Sequence, residues 1–233
     1  MKRLLAATIL CLIATLASAQ QFVPAIEIRP WFARQSLGLH DEQLNTNWQK
    51  TRIEYAAAAF LGPNLHVRYS VIPALSVSEQ VQLANPLIIG TTDFFTKDDK
   101  DSKEINLDWS TRGEHRIELT GYWNFPVKPV FVGEWCNMTL TATSTKDGKD
   151  TTATEEFTRF IAAAGGMISY SATNIQSSVI LVGSRELQRF EARILYRFNY
   201  SGSITGGYIQ ETRDLGGLKI REHGPFASIL VAF

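Results

Sequence analysis

The sequence predicts an all-β chain closed into an antiparallel, transmembrane, up-and-down β-barrel of ten strands. Three observations carry this expectation. Segments of about ten residues alternate apolar with charged or polar side chains, the two-residue period of a strand that separates two environments. No stretch beyond the first twenty residues offers the ~18 apolar residues that a membrane helix needs. The connections between segments alternate between short and long, as in barrels with short turns on one side of a membrane and longer loops on the other.

The segments follow in order. "AIEIRPWFARQ" sets Ile26, Ile28 and Phe32 on one face against Glu27, Arg29 and Trp31 on the other. "TRIEYAAAAFL" sets Ile53, Tyr55, Ala57 and Ala59 against Arg52 and Glu54. After the turn "GPN", "LHVRYSV" opposes Leu65, Val67, Tyr69 and Val71 to His66, Arg68 and Ser70. "HRIELTGYWNF" opposes Ile117, Leu119 and Trp123 to Arg116, Glu118, Thr120 and Asn124. "LQRFEARILYRF" alternates most cleanly, with Phe190, Ala192, Ile194, Tyr196 and Phe198 against Arg189, Glu191, Arg193 and Arg197. "VFVGEWCNMTLTA", "FTRFIAAAGGMISY" and "SSVILVG" alternate less clearly, and "SITGGYIQET" and "GPFASILVAF" complete the ten. An eight-strand alternative would merge residues 130–185 into one large loop.

Counted back from Phe233, "DLGGLKIREH" reads as a long polar connection, "NYSG" as short, "SREL" as modest, "SATNIQ" as short, "STKDGKDTTATE" as long and "PVKP" as short. Region 74–103 and "LGLHDEQLNTNWQK" are long, and "GPN" between them is tight. With both termini on the periplasmic side, every short turn falls inside and the longer connections fall outside.

The first residues have the layout of a secretory signal peptide. Lys2 and Arg3 precede an apolar stretch from Leu4 to Leu16, and Ala17-Ser18-Ala19 precede Gln20. Residues 1–19 are therefore expected to be removed, leaving a single domain over 20–233. Of two cysteines only Cys136 then remains, so the domain holds without an internal disulfide. Twenty-three basic residues balance 23 acidic ones, which gives no reason to expect a nucleic-acid partner.

"RFEARILYRFNYSGSITGGYIQETRDLGGLKIREHGPFASILVAF" resembles the closing three strands of small bacterial outer-membrane β-barrel proteins, with a "GGY" strand and a terminal "GPF…F" strand. "RIELTGYWNFPVKPVFVGEW" and "IEIRPWFARQ" are similar to that family's middle hairpin and opening strand. The resemblance implies a place in the bacterial outer membrane, with outer-membrane lipids and the outer-membrane assembly machinery as partners. It also implies that the outward row Ala227, Ile229, Val231 and Phe233 serves as the assembly signal, ending on the aromatic residue. Trp123, Tyr196, Phe198 and Phe233 fit an interfacial aromatic girdle.

The inward face collects Glu27, Arg29, Arg52, Glu54, His66, Arg68, Arg116, Glu118, Glu134, Arg189, Glu191, Arg193 and Arg197 as candidate lumen charges. An eight-strand barrel is just wide enough to be filled by side chains, and ten strands add little width. Arg–carboxylate pairs would then fill the lumen, leaving a structural or surface-interaction role. Two alternatives stand beside this: a narrow pore for small, anion-leaning solutes, and a soluble periplasmic β-barrel that binds an apolar ligand. No enzyme is expected. His40-Asp41-Glu42 has no serine neighbour, His223 and His115 stand apart, and no phosphate loop or H-E-x-x-H spacing occurs. The run Asp98-Asp99-Lys100-Asp101 lacks the alternation and glycine of a calcium loop, so neither a metal nor a cofactor is expected. Leu87, Ile88, Ile89, Phe94 and Phe95 in region 74–103 mark it as a sheet extension or a lid, with an ordinary loop holding its own small apolar cluster as the plain alternative, and any surface ligand would meet the outer loops. Deleting Phe233 is expected to lower the fraction of protein assembled in the outer membrane, read by membrane fractionation; unchanged assembly would remove the signal reading of the tail.

Overall fold

The two-residue alternation becomes strands throughout the computed structural model, which describes residues 24–39, 42–83, 87–94, 103–146, 149–199 and 201–233. Residues 1–19, His40, Asp41, Phe95 and the acidic run 98–101 lie outside the described residues. The strands are β1 (Pro24–Leu39), β2 (Glu42–Leu61), β3 (Leu65–Ile72), β4 (Leu75–Leu83), β5 (Ile88–Ile89), β6 (Thr92–Asp93) and β7 (Lys103–Thr111), followed by β8 (Glu114–Gly121), β9 (Lys128–Lys146), β10 (Lys149–Ala172), β11 (Ile175–Gly183), β12 (Leu187–Arg197), β13 (Gly202–Asp214) and β14 (Leu218–Ala232).

Ten of these close a ring by antiparallel pairing, in the order β1-β2-β3-β8-β9-β10-β11-β12-β13-β14 and back to β1. The closing seam runs from Ala25↔Ala232 to Leu39↔Leu218, and the Phe233 N–H donates to the Pro24 carbonyl at 2.9 Å. Residues 130–185 supply most of β9 and all of β10 and β11, so the eight-strand alternative is excluded. A ring leaves no sheet edge, which is what allows strands to sit in hydrocarbon.

The long connections are mostly strand, not loop. "DLGGLKIREH" contains a turn of only three residues, 215–217, after which Leu218, Ile220 and Glu222 point in and Lys219, Arg221 and His223 point out. "STKDGKDTTATE" and "LGLHDEQLNTNWQK" likewise lie largely within hairpins, β9–β10 and β1–β2. Polar composition marks where these strands leave the membrane, not where they stop.

Region 74–103 does both things the sequence allowed. β4 and β7 pair with each other from Leu75↔Thr111 to Leu83↔Lys103 and prolong the β3–β8 hairpin upward. Pro73 lacks an N–H at the break between β3 and β4. On the other strand, Gly113 adopts φ 102°, and the pairing with β9 slips by one residue between His115↔Trp135 and Thr111↔Met138. This is the behaviour of a β-bulge. Meanwhile Leu87, Ile89 and Phe94 are buried in the upper core, so the short β5–β6 hairpin caps the mouth.

Polarity inverts along the barrel axis. In the lower part Ile26, Ile28, Phe32, Phe131, Trp135, Phe160, Leu181, Ile194, Ile204 and Ile229 face outward and are exposed. In the upper part the buried inward residues are Leu37, Leu39, Ile105, Leu107, Trp109, Met138, Leu140, Leu187, Leu218 and Ile220. β1 alone shows the change, from Glu27 and Arg29 buried below to Leu37 and Leu39 buried above. The lower band is a lipid-facing surface; the upper part is built like a water-soluble barrel.

Gly224 tests the closing seam. A Cβ added there would lie 2.0 Å from the Phe32 carbonyl oxygen of β1, whereas at Gly206 it would meet nothing within 4 Å. Gly224→Ala is expected to destabilise the barrel by about 1–3 kcal/mol, the range for overpacking, and Gly206→Ala to leave it nearly unchanged. Loss of heat-resistant compact migration in gel electrophoresis measures both.

Candidate functional site

The lower lumen is filled by buried charge. Six arginines (29, 52, 68, 116, 189, 213) and eight glutamates (27, 54, 114, 118, 134, 191, 211, 222) are buried there. Eight of the ten ring strands supply them, because each presents every second residue inward. β10 and β11 supply none and line their side with Ile161, Ala163, Met167, Ile180 and Val182.

These residues form one connected network. Near its base Arg68 donates to Glu27 and Glu54, at 2.8 Å each, and Arg29 donates to Glu27 at 3.1 Å. Arg29 also reaches across the lumen to Glu191 of β12 at 3.3 Å. Arg189 donates to Glu191 and stands 3.6 Å from Glu118 and 3.8 Å from Glu211. Above it Arg116 joins Glu134 of β9, at 2.5 Å, to Glu211 of β13, at 2.8 Å. Arg52 bonds Glu114 at 2.5 Å and also Glu222. Arg213 donates to Glu114 at 2.6 Å, to Glu134 at 2.9 Å and to Glu222. Two aromatic faces cover the guanidiniums: Arg29 lies 4.5 Å from the Phe226 centroid, and Arg52 5.7 Å from that of Trp31.

Every fully buried cation is arginine. A planar fork of five donors serves several carboxylates at once, which a lysine ammonium does less well. Opposite walls are thus tied across the lumen, and the carboxylates that could hold an ion are occupied. Glu114, Glu134 and Cys136 lie close enough together to suggest a metal site. However, Arg213 Nη1 stands 2.6, 2.9 and 3.6 Å from their ligand atoms, and the Cys136 thiol donates to Glu134 at 2.9 Å. The guanidinium takes the place a cation would need.

Not every expected lumen residue joins the network. Arg193 stands at its lower margin, 21 % exposed, 3.6 Å from Glu191 and donating to Ser178 at 2.9 Å. His66 packs against Phe60 at the lower end, 4.9 Å between centroids with the rings tilted by 54°. Arg197 is exposed at the last residue of β12 and lies outside the cluster, because the strand there has passed beyond the filled lumen. Conversely Glu114, Glu211, Arg213 and Glu222 belong to the network without having been singled out. Their signal was a continued two-residue count: from Ile209 to Glu211 within a segment that reads as a strand and on to Arg213 just past it, and from Ile220 to Glu222 through a stretch that reads as loop. The outward row Ala227, Ile229, Val231 and Phe233 is exposed on one face of the terminal strand, with Phe233 74 % exposed.

No family model matches the chain, and no curated protein matches it. Among solved structures it is similar to Ail, the attachment invasion locus protein of Yersinia pestis, at 8 % identity and a TM-score of 0.42, covering 91 % of this chain and 99 % of that one. It is also similar to the neisserial surface protein NspA, at 11 % identity and TM-score 0.33, covering 91 % and 97 %. A third is the Ralstonia pickettii toluene transporter TbuX, at 10 % and 0.36, covering 94 % and 92 %. At such values nothing of those proteins' roles transfers to this chain.

Removing one member of a buried pair leaves its partners charged and unpaired, a loss of about 3–5 kcal/mol. Arg213→Leu, which takes one guanidinium from Glu114, Glu134 and Glu222 and leaves three carboxylates to Arg52 and Arg116, is expected to show a loss of that order in denaturant unfolding of the detergent-held barrel. Arg112→Ala, which breaks the exposed 3.1 Å pair with Glu156, is expected to change stability by less than about 1 kcal/mol.

Proposed function

We propose that the chain is an integral bacterial outer-membrane barrel with a sealed lumen, and that its role is structural or lies in contacts at its outer surface. The observation that carries this reading is the ion network. It links β1 to β12, β8 to β13 and β9 to β13 across a ring of ten strands, and leaves its arginines engaged with carboxylates. A narrow pore needs cationic side chains free to meet passing solutes. Here Arg29, Arg52, Arg68, Arg116, Arg189 and Arg213 are buried against glutamates, and the mouth above them is packed with Leu87, Ile89 and Phe94.

The lipid-facing band supports the membrane placement. Its apolar side chains surround a charged interior, the reverse of what a soluble barrel holding an apolar ligand requires. The outward terminal row, ending at Phe233, supports assembly by the outer-membrane machinery. No catalytic constellation contributes to this reading: the described histidines, His66, His115 and His223, lie apart, and His115 Nδ1 is 2.7 Å from the Tyr69 hydroxyl.

Planar-bilayer conductance tests the proposal. The refolded wild-type barrel, with insertion verified by protease protection, is expected to stay silent. Deleting residues 87–94 alone is expected to leave it silent, because the network remains below. Replacing Arg29, Arg68, Glu54 and Glu191 together by alanine is expected to produce discrete steps. Reproducible conductance of the wild type would overturn the sealed-lumen reading in favour of the narrow pore.

A further inference from the structure

The outer face just above the lipid-facing band is uneven in charge. On β1 and β14, Arg34 stands directly opposite His223, and Arg221 and Lys219 follow opposite Ser36 and Gly38. All four basic side chains point outward and are exposed. They form no ion pair among the described residues, whereas another outward arginine, Arg112, is paired with Glu156 at 3.1 Å. The nearest acid across the β13–β14 pair, Asp214, faces Lys219 but is turned to its own hairpin, accepting the N–H of Gly216 at 2.8 Å. Neutral hydrogen-bonding side chains flank the cations: Gln210 opposite His223, Thr212 opposite Arg221 and Gln49 opposite Arg34.

Height makes this arrangement informative. Phe32 is two residues below Arg34, which at strand rise is about 7 Å. Phe32, Tyr208 and Pro225 occupy the top of the apolar band in the same sector, with Phe32 54 % and Tyr208 40 % exposed. The cations therefore project where the headgroups of an outer leaflet would begin. Arg34 and Arg221 stand on diagonal positions of the β1–β14 pair, and like charges so placed repel one another. A counter-anion supplied from the membrane relieves that repulsion, and phosphate, with several acceptor oxygens, suits two neighbouring guanidiniums.

We propose that Arg34, Lys219, Arg221 and His223 form a docking patch for the phosphates of a phosphorylated glycolipid of the outer leaflet, with Phe32 and Tyr208 against its acyl chains. The proposal rests on the membrane-spanning reading of the barrel. It adds a defined lipid partner and a fixed sector for it.

The test uses the refolded full barrel in detergent, titrated with lipid A carrying both phosphates and, separately, with fully dephosphorylated lipid A. Tighter binding of the phosphorylated form is expected. A surface cation near an anionic headgroup contributes about 1 kcal/mol, roughly fivefold. The triple variant R34Q/K219Q/R221Q is therefore expected to weaken binding of phosphorylated lipid A by about a hundredfold while leaving the thermal midpoint of the lipid-free barrel unchanged. Arg112→Gln serves as the control and is expected to leave binding unaltered. Equal binding of the two lipids, or no change in the triple variant, would overturn the patch. Competition by inorganic phosphate at matched phosphate concentration would make it a site for free anions and overturn the lipid assignment. Failure of the barrel to insert into vesicles is a separate outcome: it removes the membrane reading itself, whereas an inserted barrel indifferent to lipid A phosphates loses only the patch.

Discussion

A ring of ten strands encloses a lumen that side chains must fill, and in this chain charged side chains fill it. That choice constrains the rest. A guanidinium or carboxylate removed from water loses several kcal/mol of hydration, and its partner restores this only with good geometry. Each strand must therefore hold its register, since a slip of one residue would turn Arg29 or Arg189 toward hydrocarbon and a leucine or isoleucine into the lumen. The network does not make the barrel unusually stable; a well-packed apolar filling of the same volume would serve as well or better. It makes one register the only tolerable one. Links between residues far apart in the chain, such as Arg116 with Glu211 and Arg213 with Glu114, extend that selection from neighbouring strands to opposite walls.

Above the network the same strands exchange their faces. β14 is apolar outward at Ile229 and Val231, then basic outward at Lys219 and Arg221 with Leu218 and Ile220 buried behind them. β9 does the same, from Phe131 and Trp135 outward to a face of Thr139, Thr141 and Thr143, behind which Met138, Leu140 and Ala142 are buried. The backbone ladder runs through the change uninterrupted, so the switch is one of side-chain identity alone. It marks the height at which the surroundings turn from lipid to water. The β4–β7 extension and the β5–β6 cap belong to the water-exposed part and obey its rule, with apolar side chains inward.

This switch also explains how much could be read from the sequence. β1, β2, β3, β8 and β12 were legible because their central stretches set charge against hydrocarbon, and Ile26, Arg29, Ile53, Glu54, Ile194 and Glu191 all take the faces that alternation gives them. β9 and β10 were blurred because their inner face is itself apolar: Val132, Met138, Ile161 and Met167 point inward, so both faces carry similar residues. The upper part of β14 reads as loop because an outer face in water looks polar throughout, and the strand read for β13 stops at Thr212, one residue short of Arg213. Arg213 and Glu222, among the best connected charges, were missed for those reasons. Arg197 was placed inside for the opposite reason, since alternation alone does not say where along a strand the filled lumen ends.

The export that the first residues lead one to expect would place a further demand on the same residues. No stretch after the first twenty offers the ~18 apolar residues of a membrane helix, so none would be mistaken for one in transit. Filling the lumen with leucine and valine would have made whole segments apolar on both faces and brought them toward the ~18-residue apolar runs that stop in an inner membrane. Placing Arg and Glu at every second position keeps the extended chain polar while it travels. Once the ring closes, those charges are hidden from lipid and paired with one another. The charge-filled lumen and a chain without long apolar runs are thus two consequences of one alternation.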